Sequence, residues 1–244
     1  MRWNPALIAF ALIASAQPAS AQFVGTLAFT PSGCEQTGLC KLVYDFGFID
    51  SNGVGWQSSA GDVTDGASIP DWARPFIGQP FDAPFIRAAV IHDHYCDRHV
   101  RTWRDTHRVL YEGLVAGGTP SLKAKVMYYA VLIGGPKWIS LIKGEPCSIG
   151  QICVRDALAP TQIPDTTIVA GESGERFAVR AARYDRPDMA AELDAVQQFL
   201  QAKGDQVTLD DLIARAKDRN PDDMFFKLGD AIRFEDSSSK FPAK

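Results

Sequence analysis

The segment PFIRAAVIHDHYC, residues 84–96, decides the fold. Pro84 suits the first position of a helix, and the side chains after it are mostly apolar as far as His92. Such a run predicts a buried helix with ionisable groups near its C-terminal end. Two more helices follow. Thr102 and Asp105 form a capping pattern at the start of one, and Pro120 opens the other.

Strands are predicted before this helix. Residues 41–49 are rich in aromatic and β-branched side chains, and Asn52-Gly53 is a strong signal for a hairpin turn. Ser68 and Asp71 have the spacing of a capping box that would open a short helix. The chain is therefore predicted to be α+β. An N-terminal antiparallel hairpin or small sheet packs on a helical core, and a helical C-terminal extension follows.

The composition changes near residue 160. Residues 160–244 carry 28 charged side chains in 85 positions, whereas residues 22–159 carry 25 in 138. Residues 160–174 contain prolines and few large apolar side chains, which predicts a linker. We expect a main α+β domain over 22–159 and a separable, helical, acidic region over 175–244. The C-terminal helices would be the part that binds an envelope component or a protein partner.

A secretory signal peptide is predicted over residues 1–21. Arg2 precedes an apolar run at 6–14, and Ala19-Ser20-Ala21 matches a cleavage site, with a cut after Ala16 as the alternative. The run is shorter than the roughly 20 apolar residues that a membrane span needs. We expect an exported, soluble protein of the periplasm or the extracellular space, without a transmembrane segment.

Four of the five cysteines form two pairs of equal spacing, Cys34/Cys40 and Cys147/Cys153. An exported chain meets an oxidising compartment, which favours a short-loop disulfide within each pair. Pairing between the two segments stays open, because four cysteines allow three connectivities. Cys96 is left over, either as a buried thiol or as part of a site.

The overall composition excludes several classes of protein. The chain is 46% hydrophobic and 22% charged, which does not fit a disordered, collagen-like or coiled-coil chain. The net charge of −4 offers no basic surface, so we expect no nucleic-acid partner.

Ionisable residues are expected to meet at the end of the first long helix. His92 and Asp93 follow its apolar run, and His107 lies on the next helix, which would face it in an antiparallel pair. Asp65, in the preceding loop, could approach the same place. Histidine and carboxylate ligands suit a divalent metal, zinc rather than calcium, so His92, His107, Asp65 and Asp93 are the predicted ligands. Without a metal, His92 and Asp93 would act in general acid–base catalysis.

Each of these residues also has a structural interpretation. Asp65-Gly66 can simply form a turn. Asp93 can pair with one of the arginines at 98–108 on the surface. His92 can be a histidine that is satisfied inside the core.

The segment TDGASIP at 64–70, followed by AAVIHD at 88–93, resembles domain-of-unknown-function family 1353 of phages and bacteria. The resemblance covers roughly residues 40–140, and it implies no settled activity. Two positions depart from the family's pattern. Cys96 stands where the family usually has tyrosine, and His107 stands where it usually has aspartate. The second exchange keeps the capacity to bind a metal but changes the charge.

Three functions compete. The first is a hydrolase, metal-dependent or based on His92 and Asp93, acting on an envelope-derived or anionic substrate that the arginines at 98–108 would attract. The second is an esterase similar to secreted phospholipase A2, using the His92-Asp93 pair, although its glycine-rich calcium loop is not evident. The third is a non-enzymatic envelope or phage-derived structural or binding module.

Overall fold

The computed structural model of the chain describes residues 20–143, 153–155 and 165–235. It confirms the α+β class, with small N-terminal sheets followed by helices. The strands are β1 Gln22–Val24, β2 Phe29–Thr30, β3 Cys40–Leu42, β4 Phe46–Ile49, β5 Gly55–Ser58, β6 Val63–Thr64, β7 Lys137–Lys143, β8 Cys153–Arg155, β9 Thr167–Ala170, β10 Arg176–Arg180 and β11 Ala231–Glu235. The helices are α1 Arg74–Ile77, α2 Ala83–Arg98, α3 Trp103–Ala116, α4 Ser121–Gly134, α5 Met189–Lys203, α6 Leu209–Arg219 and α7 Met224–Lys227.

The strands form three sheets around the helices. β1, β4 and β5 make one antiparallel sheet, and β2, β3 and β6 make another. The third sheet has the order β8-β11-β7-β10-β9, in which β11 runs parallel to β7 and β10 runs antiparallel to it. The predicted hairpin joins β4 to β5, and Asp50 closes its loop. Oδ1 of Asp50 accepts hydrogen bonds of 2.9 Å from the amides of Asn52 and Val54.

Two local predictions were wrong, and one strand was not predicted. Residues 41–49 are two strands in different sheets, because the chain leaves β3 at Leu42 and enters β4 at Phe46. Ser68 does not cap a helix: α1 begins only at Arg74, since Pro70 keeps the residue before it out of the helical region. Residues 137–143, for which no strand is predicted from the sequence, form β7.

Helix α4 lies at the centre of the core. It packs against α3 on one side and against α5 and α6 on the other. Ala124, Tyr129 and Leu132 on this helix are fully buried. A helix that is apolar on nearly all sides is expected to be enclosed in this way.

The region after residue 165 is joined to the rest of the molecule. It contains β9, β10 and β11 as well as helices, and β9 lies inside the expected linker. β10 pairs with β7, and Phe177, Val196 and Leu212 share one hydrophobic core with Leu132. The proposed boundary and the separability of 175–244 stay predictions, but elements on its two sides share a sheet and a core.

The Cys34–Cys40 disulfide is confirmed, with an S–S distance of 2.04 Å. Cys96 is a free thiol. The predicted Cys147–Cys153 bond and residues 1–19 of the signal peptide lie outside the described residues. Among the helices that the structure describes, none has the length and apolar character to cross a membrane.

Candidate functional site

Helices α2 and α3 form an antiparallel pair that approaches very closely at one point. A Cβ added to Gly113 on α3 would lie 2.9 Å from Cβ of Ala88 on α2, so a larger residue would push the helices apart. His92 follows Ala88 by about one turn, and His107 precedes Gly113 on the facing helix. This packing brings the two imidazoles together.

The two histidines are in direct contact inside the protein. Nε2 of His92 lies 2.9 Å from Nδ1 of His107, and both residues are buried. Burial, together with the charges of His92 and Lys137, holds the pKa of His107 well below its ordinary value. His107 is therefore a neutral imidazole at pH 7. A Cβ added to Gly135 would come within 3.1 Å of its Nε2, so this glycine lets the end of α4 close over the ring.

The other ring nitrogen of His92 faces Asp93, and Cys96 lies beside the ring. Nδ1 lies 3.8 Å from Oδ1 of Asp93, while Sγ of Cys96 is 3.8 Å from Nδ1 and 3.5 Å from Nε2. Cys96 is four residues after His92 on the same helix, which places the two side chains on one face. Donor atoms of His92, Cys96 and His107 all lie within 4.8 Å of one another, whereas Asp65 and Asp93 are not part of this group.

The chemistry of Cys96 follows from its surroundings. Burial, together with the charges of Asp93 and Asp97, raises the pKa of its thiol well above the ordinary value. The thiol is protonated at neutral pH, so it becomes a strong ligand only if an ion displaces the proton.

The TDGASIP segment holds Asp93 in place. Thr64 Oγ1 donates a hydrogen bond of 2.9 Å to Oδ2 of Asp93, and the amide of Gly66 donates one of 3.0 Å to Thr64 Oγ1. Gly66 has a φ of 86°, and a Cβ there would lie 2.9 Å from the backbone of Pro80. The glycine is thus required both for the turn and for the close approach.

His92 and Asp93 border an open cleft with an acidic wall. Asp65 and Asp97 line it as well. Burial and the charge of Asp93 raise the pKa of Asp65, and the same two causes raise the pKa of Asp97. The cleft therefore attracts cations rather than anions.

The arginines at 98–108 do not supply a free positive patch. Arg98 pairs with Asp62 and Glu172, and Arg108 pairs with Glu112 at 3.1 Å. Arg104 binds Asp230, and Arg101 lies over the ring of Trp56 at 5.1 Å. Asp93 is bonded to Thr64, and no ion pair links it to these arginines.

Tyr184 completes the cleft from the C-terminal part of the chain. Burial, with the charges of Cys96 and Asp93, raises the pKa of its phenol, so the hydroxyl keeps its proton. It makes no hydrogen bond with the described residues. Its ring packs against Gly134, where a Cβ would lie 2.9 Å from Cδ1 of the ring.

The structure thus brings His92 and His107 into contact and places Asp93 beside His92. Asp65 lines the same cleft, and both carboxylates lie outside the donor group. Sequence reasoning left Cys96 open as a buried thiol or part of a site, and it missed Thr64 and Tyr184. The spacing of four residues between His92 and Cys96 was a usable signal for the part that Cys96 plays. Nothing local pointed to Tyr184, because its place depends on how the C-terminal region packs.

Comparison with known proteins identifies the class. The chain belongs to the family described as Protein of unknown function (DUF1353), whose model matches residues 40–131. It is 44% identical over 184 residues to the uncharacterized protein y4iH of Sinorhizobium fredii (strain NBRC 101917 / NGR234), covering 74% of this chain and 71% of that protein. It is also 42% identical over 127 residues to the uncharacterized protein y4jT of the same strain, covering 50% of this chain and 38% of that protein. No solved structure matches the chain.

Proposed function

We propose that the chain is an exported hydrolase in which His92 is the general base. The observation that carries this proposal is the contact between His92 Nε2 and His107 Nδ1 at 2.9 Å. One ring nitrogen is fixed by a buried partner, while the other lies toward Asp93 at the cleft. A base that is oriented through its second nitrogen is the usual arrangement in hydrolases.

The reaction proposed is hydrolysis of an ester. Water attacks the carbonyl carbon and gives its proton to Nδ1 of His92. The bond from that carbon to the alcohol oxygen breaks, and the alcohol oxygen takes the proton back from His92. The products are a carboxylic acid and an alcohol, and no oxidant or reductant is needed.

Two residues of the cleft support this step. Asp93, held by Thr64, stabilises the positive charge that His92 carries while it holds the proton. The neutral phenol of Tyr184 can donate a hydrogen bond to the oxygen that becomes negative. The three carboxylates favour a neutral or cationic substrate over an anionic one, unless a cation lies between them.

The test is ester hydrolysis by the purified protein, with p-nitrophenyl butyrate as the probe. His92→Asn should lower kcat/KM by about 10²–10⁴, the usual contribution of a general base. His94→Gln is the matched control, because His94 lies two residues further along the same helix and binds Asp62 instead. Equal activity in both variants would reject His92 as the base.

A zinc-dependent hydrolase is the second candidate, and the position of Cys96 favours it. His92, His107 and Cys96 offer two imidazole nitrogens and one sulfur, a donor set that suits zinc. In the arrangement expected from the sequence, Asp65 and Asp93 would be the ligands beside the two histidines. A bound zinc ion would lower the pKa of a water molecule and so supply the nucleophile.

Metal analysis of the purified protein separates these versions. If the wild type binds one zinc ion per chain and Cys96→Ser binds none, the ligands are His92, His107 and Cys96. Zinc retained in that variant but lost in Asp93→Asn indicates the set with carboxylates. Activity that depends on calcium and on Asp93 would instead support the phospholipase A2-like esterase.

The competing proposal is a non-enzymatic envelope or phage-derived module that binds a partner through its C-terminal helices. The apolar faces of α5 and α6 pack against α4, with Val196 and Leu212 fully buried. A partner would therefore meet their charged faces. Absence of both ester hydrolysis and bound metal would favour this alternative.

Export is proposed from the predicted signal peptide, and the Cys34–Cys40 disulfide is compatible with it. Expression of the full chain in a bacterium should yield a periplasmic protein that begins at Gln22. Peptide mapping without reducing agent should find Cys34 joined to Cys40 and Cys147 joined to Cys153. A bond that involves Cys96 would contradict this pairing.

A further inference from the structure

A separate apolar cavity lies behind His92. It is lined by residues of α1, α2, α3, α4, α5 and the loop at 67–73, and its volume is about 70 Å³. One water molecule needs roughly 10–15 Å³ measured in this way, so the space is several times larger than a single water site. Its lining includes Ile69, Phe85, Leu110, Val126, Met127 and Leu193.

The few polar side chains of the cavity are also those of the acidic cleft. Ser68, His92, Asp93 and Tyr184 line both spaces. The proposed general base therefore lies on the boundary between the cavity and the cleft. An amphipathic ligand could place its apolar part in the cavity and its polar part in the cleft, with the bond between them at His92.

The lining determines what the cavity can hold. Away from that boundary its lining side chains are aliphatic, aromatic or thioether groups, so a polar ligand would lose most of its bonds to water without replacement. Such a lining favours apolar ligands over polar ones. Well-packed interiors leave few voids larger than a water molecule, so a cavity at this position needs an explanation.

We propose that this cavity holds the hydrocarbon chain of an acyl ester, with the ester carbonyl at His92 and the alcohol group in the acidic cleft. The proposal names the substrate class of the hydrolase and rests on that function. The cavity accommodates a short stretch of chain, of the order of a few carbons.

Binding can be measured without catalysis. Trp72 lines the cavity and is 42% exposed, so a bromine atom on a bound chain should quench its fluorescence. The probes are neutral ω-bromoalkanols of four to ten carbons. The affinity should rise about fourfold for each added methylene and then level off when the cavity is full. Trp72→Phe should remove most of the quenching.

Two variants test the place of binding. Ala130→Leu adds bulk to the cavity wall and should weaken binding of 8-bromooctanol at least tenfold. Leu193→Ala enlarges the cavity, so the affinity should level off at a longer chain length than in the wild type. This variant provides the test if Ala130→Leu fails to fold. Ala116→Leu is the matched control, because Ala116 is exposed at the end of α3 and lines neither the cavity nor the cleft.

The outcomes distinguish the two proposals. Chain-length-dependent binding without hydrolysis of any ester would keep the cavity site and reject the hydrolase. Ester hydrolysis whose rate is independent of acyl length, with no effect of Ala130→Leu or Leu193→Ala, would keep the hydrolase and overturn the acyl site.

Discussion

Nζ of Lys137 lies 3.1 Å from Oδ2 of Asp223, and the lysine side chain is completely buried. Arg180 binds the same carboxylate through two hydrogen bonds of 3.1 and 2.7 Å. Burial lowers the pKa of Lys137 to about 7, against the opposing effect of Asp223. This buried ion pair joins β7 to the segment before α7.

The pair should make stability depend on pH. In the unfolded chain Lys137 keeps its proton up to about pH 10, whereas in the folded protein it loses the proton near pH 7. The unfolded state therefore binds more protons between these values, and this group makes folding more favourable as the pH rises. The free energy of unfolding of the wild type minus that of Lys137→Met should increase by roughly 1–3 kcal/mol from pH 7 to 9. Urea unfolding at both pH values measures it, and a constant difference would contradict it.

His107 is expected to act as a positioning residue for His92. His107→Ala should lower kcat for ester hydrolysis by about 10²–10⁴, because the base loses its fixed orientation. His107→Asp, which introduces the residue that the family usually has, should recover part of this loss. Circular dichroism checks that both variants fold. Equal losses in kcat for alanine and aspartate would argue for a purely structural role.

Asp65 should destabilise the folded protein slightly at neutral pH. Its pKa is raised by burial and by Asp93, so the folded state holds this proton more tightly than the unfolded state does. The folded protein is therefore more stable when this carboxyl is protonated than when it is ionised. This contribution is present in full at acidic pH and is lost as the pH rises through the folded-state pKa. Asp65→Asn should therefore be more stable than wild type at pH 7, by less than about 1 kcal/mol because the group is partly solvated. The advantage should vanish near pH 3. A loss of stability at pH 7 would indicate that the carboxylate has a partner in solution, such as a cation.

Cleavage of the predicted linker should not release the C-terminal region. A cut between residues 160 and 174 leaves the pairing of β10 with β7 and the packing of α5 on α4 intact. After limited proteolysis between 160 and 174, the two fragments should elute together in native gel filtration and separate only in denaturant. Separate elution without denaturant would show that 175–244 is an independent unit.

Much of the candidate site could be predicted from the sequence, because local patterns fixed its helices. The apolar run before His92 and the cap at Thr102 predicted two consecutive helices, and a short connection between them favours antiparallel packing. That places His92 and His107 on facing sides. The close contact itself depends on Gly113, whose role is visible only when Ala88 is seen against it.

The remaining features depend on contacts between distant parts of the chain. The helical region expected after residue 160 also contains strands that the sequence did not predict, because β10 gains its stability from β7 and not from its own pattern. Tyr184 reaches the cleft only because that strand returns the chain to the end of α4, where the carbonyl of Gly134 accepts a hydrogen bond of 2.6 Å from the amide of Arg183. No spacing within the sequence encodes that position.

The position of Tyr184 late in the chain determines when the cleft is complete during synthesis. The wall of the cleft that this residue forms is among the later parts of the chain to be synthesised, long after His92 has left the ribosome. A nascent chain that ends before Tyr184 carries both histidines but lacks this wall of the cleft. Under the proposed hydrolase function, catalysis would therefore begin only after the C-terminal region has been synthesised and has folded onto α4.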